Sequence, residues 1–328
     1  MDQTEIDLST FKWVDLTNPD KQMLAQIAIQ LKLESKVLYN CLDSDYLPHI
    51  EAYQDTFFII LRLMEPESPL DADSVQELTT KLAIFVHPTQ VVTIHRLPLI
   101  EINSVTSSAQ NRGKDNMSKS NLLSFFYEQV SLGFNKPLAD LEAKLRDLEE
   151  NLFSTKKSRK FLQEGFYLKR KASAFKKVLK LTLELQAKLV TLPEFEKQHF
   201  QQSKDRLERN LFYAEDVLEN AQSLLNLHLG IESQKTNEAS FRTNEIMRVL
   251  TVLTIFFLPL NFVAGVFGMN FQYIPLLTER AGFEYSLLIM LVISVALGIY
   301  LYRQGWLGRP KIKRDSQILE KKDVRSKV

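Results

Sequence analysis

The sequence predicts an α+β cytoplasmic domain whose long helices continue into a two-transmembrane-helix hairpin. Three observations lead there. The first hundred residues mix β-rich segments with a helical one. From about Asn121 to Arg248 the pattern is helical and glycine is nearly absent. The apolar residues then gather near the C-terminus in two uncharged runs. The resulting division sets the α/β domain at 1–115 and the long helices at 116–246. The first span is 247–269, an external loop 270–284, the second span 285–303 and a basic tail 304–328.

Composition sets the outer limits. A chain of 328 residues suggests about two domains of ordinary size. Lys and Arg number 41 against 40 Asp and Glu, so no overall attraction to a polyanion is expected. A hydrophobic share of 45% rules out wholesale disorder. Cys41 is the only cysteine, which excludes an internal disulfide and a thiolate zinc cluster.

In the α/β part, Asn18-Pro19-Asp20 reads as a helix start. Asn18 can cap, Pro19 suits the first turn and Asp20 favours the positive dipole end. Met23, Leu24, Ile27, Ala28 and Leu31 then share one face. Thr56 to Met64, Lys81 to His87 and Gln90 to Arg96 are β-rich, with a turn at His87-Pro88-Thr89-Gln90. A small sheet covered by helices is expected.

Beyond it, Leu138, Leu141, Leu145, Leu148 and Leu152 recur at helical spacing, and Pro193 is the main break. Helices of roughly 40 or more residues are implied. The second begins near Glu194 and meets no breaker before the first span, so one rod of more than about 100 Å is expected to enter the membrane. Lys156 to Lys188 carries eleven basic residues against Glu164 and Glu184. No nucleic-acid motif accompanies them, so the stretch reads as a solvated or lipid-facing helix face, and no nucleic-acid partner is expected.

Val249 to Thr278 is an unbroken run without a charge, and Tyr285 to Tyr302 is a second, shorter one. Crossing the hydrocarbon core takes roughly 20 apolar residues, so both runs qualify, the second at the short end. The tail after Tyr302 is rich in Lys and Arg, which places it in the cytoplasm. Two spans return the chain to the same side, so both termini are expected inside a cell (inner) membrane. The N-terminal MDQTEIDLST is acidic and lacks the apolar core of a signal peptide.

Catalytic signatures are missing. There is no GxxxxGK[ST] and no HExxH, and the five histidines lack ligand spacing. No enzyme and no cofactor is expected. Asp71-Ala72-Asp73 followed by Glu77 faintly resembles the start of a calcium loop, but the central glycine and terminal Glu are absent.

The first span is more than an anchor. Asn244, Met247, Leu250 or Thr251, Thr254, Leu258, Asn261 and Gly265 follow one another at steps of three or four and share a face. Asparagine in hydrocarbon is expensive unless it meets another helix or water. Two readings coexist: packing across an oligomer, and a water-filled pore on a symmetry axis.

Phe267-Gly268-Met269-Asn270 resembles the aromatic-Gly-Met-Asn signature of the CorA family of divalent-cation channels and transporters. Thr243 to Thr251 resembles that family's approach to the first span. Leu258-Pro259-Leu260 and Phe262-Val263-Ala264-Gly265 resemble its interior. Trp13-Val14-Asp15-Leu16, Tyr53 to Leu63 and Leu82 to Arg96 resemble its cytoplasmic domain. The resemblance implies a funnel-shaped homopentamer in the lipid bilayer, with first spans lining the pore. It also implies an ion-selective mouth at Gly268, Met269 and Asn270, and transport of Mg²⁺, with Co²⁺ or Ni²⁺ also carried. Neutral amide oxygens suit Mg²⁺, which sheds water reluctantly. Met247, Leu250 and Leu258 would form apolar constrictions that close by dewetting.

The sequence departs from the family in the outer loop. Gln272 and Leu276 stand where close relatives often carry Glu. Arg209 falls at the register of the family's regulatory carboxylate, leaving Asp205 and Glu208, with Asp71 and Asp73, as candidate regulatory metal ligands. Two rival functions are a zinc transporter of the ZntB-like branch and a non-transporting membrane-anchored scaffold. Met269 argues against the first, and Asn261 and Asn270 against the second.

Overall fold

The computed structural model describes residues 2–34, 37–38, 41, 45–65, 67–69, 71–112, 117–152, 158–269 and 281–306. The chain forms two compact units, Met1–Gly230 and Ile231–Val328.

The first unit contains a six-stranded sheet of order β1-β2-β6-β5-β4-β3. Its strands are β1 (Asp2–Leu8), β2 (Phe11–Thr17), β3 (His49–Tyr53), β4 (Thr56–Met64), β5 (Thr79–Val86) and β6 (Gln90–His95). The β2–β6 pairing is parallel and the other four are antiparallel. Helix α1 (Lys21–Gln30) contributes Leu24, Ile27 and Ala28 to a core formed with Val14, Leu16, Phe58, Ile60, Ala83, Phe85, Val92 and Ile94. The period-two alternation of these strand residues puts them on one face. The other face is buried as well: Trp13 meets Phe126 edge-on at 5.7 Å. Burial on both faces is why β4, β5 and β6 read as nearly continuous apolar runs.

Strand β1, unlike β2, carries no clear apolar signal. Gln3, Thr4, Glu5 and Asp7 of β1 are exposed, so one strand face is not sorted from the other. A charged edge strand of this kind also discourages pairing with other chains. The start of α1 differs from expectation. Asp20, not Asn18, is the cap, and its carboxylate accepts from the Met23 N–H at 2.7 Å. Asn18 belongs to the sheet end: its N–H donates to the His95 carbonyl at 2.8 Å, and its φ of 49° is left-handed. Pro19 therefore precedes the helix.

The remaining helices are α2 (Val75–Leu78), α3 (Ile100–Arg112), α4 (Lys119–Gly133), α5 (Asn135–Asn151), α6 (Ser158–Leu189), α7 (Lys197–Phe267) and α8 (Gly282–Arg303). The stretch before Pro193, expected to hold one very long helix, is divided among α4, α5 and α6. Phe134, fully buried and edge-on to Phe175 at 5.4 Å, separates α4 from α5. The Ser131 carbonyl, left over where α4 ends, accepts from Asn210 Nδ2 at 2.7 Å. Pro137 fits because it lies in the first turn of α5.

Helix α7 is a single element of 71 residues. Its buried positions Phe200, Ser203, Leu207, Asn210, Ala214, Val217, Ala221 and Leu224 alternate steps of three and four, the seam of a helix packed along its length. Against α6, a Cβ added at Gly165 would lie 2.8 Å from Leu225 Cδ2. Further contacts come from Phe161 stacked on His228 at 4.4 Å and from Lys176–Glu215 at 3.1 Å.

In the second unit, the C-terminal part of α7 and all of α8 are long and apolar enough to cross a membrane. Within the apolar stretch of α7 no residue is buried. Leu253, Phe257, Phe262, Leu291 and Val292 are among the exposed residues. Apolar surface on this scale needs hydrocarbon or other protein around it.

Candidate functional site: the exposed face of the first span

From Asn244 onward the sequence of α7 sorts into two sides. Asn244, Met247, Leu250, Thr254, Leu258, Asn261 and Gly265 are all exposed, while Thr251 is half-buried. Val252, Ile255, Phe256, Pro259, Leu260 and Val263, on the other side, are half-buried. At about 100° per residue, the first set spans an arc of about 120°. The candidate residues thus share a face that the protomer leaves uncovered. Met247 is 55% exposed, Leu250 56% and Leu258 67%.

The polar groups on this face differ in kind. Thr251 Oγ1 donates to the Met247 carbonyl at 2.7 Å and Thr254 Oγ1 to the Leu250 carbonyl at 2.9 Å. Each threonine hydroxyl is therefore satisfied inside its own helix, which lets it sit in an apolar span at little cost. Pro259 lies within the helix and cannot donate to the Ile255 carbonyl, so one backbone acceptor is freed a turn below Asn261. Where the apolar run begins, Glu245 and Arg248 pair at 2.7 Å, off the candidate face.

Helix α7 ends at Phe267. The Gly268 N–H donates to the Ala264 carbonyl at 2.9 Å and the Met269 N–H to the Val266 carbonyl at 3.3 Å. A Cβ at Gly268 would meet the Ala264 carbonyl oxygen at 3.2 Å, whereas one at Gly265 would meet nothing within 4 Å. Gly268 is thus constrained by its own helix end, and Gly265 by nothing among the described residues. Asn270 and the outer loop to residue 280 lie outside the described residues.

Among the described residues, the four carboxylates named as candidate regulatory ligands do not form a group of three or more. Asp205 accepts from Gln201 Nε2 at 2.7 Å, and Glu208 pairs with Lys204 at 3.4 Å, both within α7. Asp73 pairs with Arg170 of α6 at 2.9 Å. Glu77 closes a capping box with Ser74 at the start of α2. Among the described residues no group of three or more His, Cys, Asp or Glu is placed to hold a metal ion.

One buried polar chain in the sheet escaped sequence reasoning. Trp13 Nε1 donates to Thr93 Oγ1 at 3.0 Å, Thr93 donates to Asp15, and His95 Nε2 lies 3.1 Å from Asp15 Oδ2. The other ring nitrogen, Nδ1, lies 2.6 Å from the Leu97 carbonyl. Both nitrogens face acceptors, so the imidazolium form fits. Burial opposes that charge, but the Asp15 hydrogen bond and charge and the Leu97 carbonyl outweigh it and raise the His95 pKa. Parallel pairing of β2 with β6 makes these contacts, and no local sequence signal reports it.

Comparison with known proteins places this arrangement. The profile of one family, described as CorA-like Mg²⁺ transporter protein, matches residues 9–303. The cobalt/magnesium transport protein CorA of Thermotoga maritima is 24% identical over 308 residues, covering 92% of this chain and 85% of the relative. Its namesake from Methanocaldococcus jannaschii is 23% identical, covering 90% and 91%. The complete structure of the Methanocaldococcus jannaschii CorA magnesium transporter shares the fold. Its TM-score is 0.55 at 20% identity, covering 94% of this chain and 95% of that one.

Proposed function

The chain belongs to the CorA-like Mg²⁺ transporter family, and from that premise we propose that it conducts divalent cations, Mg²⁺ foremost, through a pore lined by the exposed face of α7. The carrying observation is that this face is uncovered in the protomer while bearing Asn244, Thr254 and Asn261 between apolar residues. One helix cannot enclose a pore, so several copies must contribute; a homopentamer is the assembly that the family resemblance implies. Gly268, Met269 and Asn270 form the mouth in this reading, and five Asn270 amides receive a hydrated ion. Between Val249 and Thr278 there is no carboxylate, so no deep anionic site would trap a divalent ion. Met247, Leu250 and Leu258 form dry rings that gate. Both termini lie in the cytoplasm and the loop at 270–284 lies outside.

Flux into liposomes tests the function, with Mg²⁺, Co²⁺, Ni²⁺ and Zn²⁺ compared in parallel. Mg²⁺ uptake is expected to dominate. Zn²⁺ uptake without Mg²⁺ uptake would transfer the protein to the zinc reading, and no uptake of any ion would leave a scaffold. Mass measurement of the detergent-solubilised protein tests the assembly, and a monomer that still transports would rule out a shared pore.

A further inference from the structure

Helix α8 carries two charges, and they stand at its ends. Glu284 lies in the first turn and Arg303 in the last, each on the side that the helix dipole favours. The stretch between them, Tyr285 to Tyr302, is free of charge. At about 1.5 Å per residue it measures about 26 Å. Aromatic side chains gather at the same two boundaries. Phe283 and Tyr285 stand at one end and Tyr300, Tyr302 and Trp306 at the other, all exposed. Residues 286–299, between the two groups, contain no aromatic side chain.

The C-terminal boundary is fixed by the backbone. Gly305 has a left-handed φ of 73°. Its N–H donates to the Tyr302 carbonyl at 3.0 Å, and the Trp306 N–H donates to the Leu301 carbonyl at 3.0 Å. This pair of bonds is the Schellman closure, which satisfies carbonyls that the helix end leaves over and stops the helix there. The span gains no further turn beyond Arg303, and Trp306 is tied to the helix end. The first span offers little more length. From Arg248, paired with Glu245, to the end of α7 at Phe267 is about 28 Å.

Tilt brings the ends of a helix closer together along the membrane normal, so these lengths are upper limits on the thickness matched. A typical hydrocarbon core is about 30 Å thick. Trp and Tyr favour the headgroup level, and an arginine at a helix end reaches outward to it. On the reading of α7 and α8 as membrane spans, we propose that Tyr302, Arg303 and Trp306 anchor one end of α8 in a headgroup layer and Phe283, Glu284 and Tyr285 anchor the other. The bilayer that this protein fits then has a thin hydrocarbon core of about 26 Å. A thicker bilayer must draw Glu284 or Arg303 into hydrocarbon or thin itself around the protein, and either weakens the lipid contact.

The test uses the full chain in phosphatidylcholine liposomes, with Trp306 fluorescence as the reporter. Trp13, the only other tryptophan, is fully buried and packed on Phe126 within the first unit, out of reach of lipid. Flotation with the liposomes comes first: a chain that stays behind would remove the membrane reading itself. Bromine near the headgroup end of the acyl chains is expected to quench Trp306 strongly, and bromine at the far end of the chains weakly. Brominated dioleoyl and dierucoyl lipids, each competed against unbrominated dioleoyl lipid, compare chain lengths. The shorter dioleoyl lipid should be preferred about threefold or more. Arg303→Leu moves the C-terminal charge boundary out to Arg309 and should abolish that preference. None of these readings depends on ion flux. In a chain that floats, the anchor is overturned if Trp306 is unquenched, if bromine deep in the bilayer quenches it most, or if both lipids bind equally. An unchanged preference in an inserted Arg303→Leu chain overturns it as well. If that variant fails to insert, the quenching depth and chain-length preference of the unmodified chain decide.

Discussion

Replacing Leu250 by serine separates gating from packing on the α7 face. Leu250 is 56% exposed in the protomer, so a little under half of its side chain is covered there. Full burial of a leucine contributes about 1.5–3 kcal/mol, which makes the loss within one protomer about 1 kcal/mol. That is too small to dismantle the helix hairpin. The effect on conduction is larger. In the proposed pentamer a ring of five leucines would exclude water, and an ion could not pass it with its shell intact; five hydroxyls would readmit water. Lowering the barrier by about 1.4 kcal/mol is a tenfold gain in rate. Leu250→Ser is therefore expected to raise basal Mg²⁺ flux at least tenfold, including at high internal Mg²⁺. The assay is uptake by an Mg²⁺-sensitive dye in liposomes, with oligomer mass measured on the same preparation. If Leu250 instead packs against neighbouring copies, flux falls and the oligomer weakens, and a gate at this position is refuted.

Met247→Ser, one turn nearer the start of the span, should act in the same direction as Leu250→Ser; a fall in its flux would separate the two rings. Asn270→Ala should reduce ion uptake sharply while insertion and oligomer mass persist, and normal uptake would mean that the signature is structural here. The buried His95–Asp15 pair ties stability to pH. The folded pKa of His95 is raised, so its contribution is complete below about pH 6.5 and is lost as pH rises through the raised value. His95→Gln should flatten that dependence and, by removing the cationic partner of buried Asp15 while Thr93 still donates to it, destabilise the first unit by about 3 kcal/mol in thermal unfolding. A pH profile identical to that of the unmodified chain would show that another group titrates.

Much of this architecture is written in local pattern. The uncharged runs Val249 to Thr278 and Tyr285 to Tyr302 marked two candidate spans, because crossing hydrocarbon takes about 20 consecutive, mostly apolar residues. Strands β4, β5 and β6 were legible because burial on both faces leaves unbroken apolar segments. The α7 face was legible because steps of three and four fix an azimuth on a helix whatever surrounds it. Other features depended on contacts between distant segments. The polar β1 strand acquires its place only by pairing with β2. Asn18 stays with the sheet end, its backbone N–H bonded to the His95 carbonyl, and the helix begins later with the Asp20 carboxylate as its cap. The division between α4 and α5 rests on Phe134 finding a pocket beside Phe175. The Asp15–His95 pair exists because the parallel pairing of β2 with β6 sets Asp15 beside Thr93 and so brings His95, two residues on, within reach on the same face. Periodicity states which way a side chain faces along its own element; which side chains it then meets is decided by the pairing of elements, a non-local property that only the tertiary structure carries.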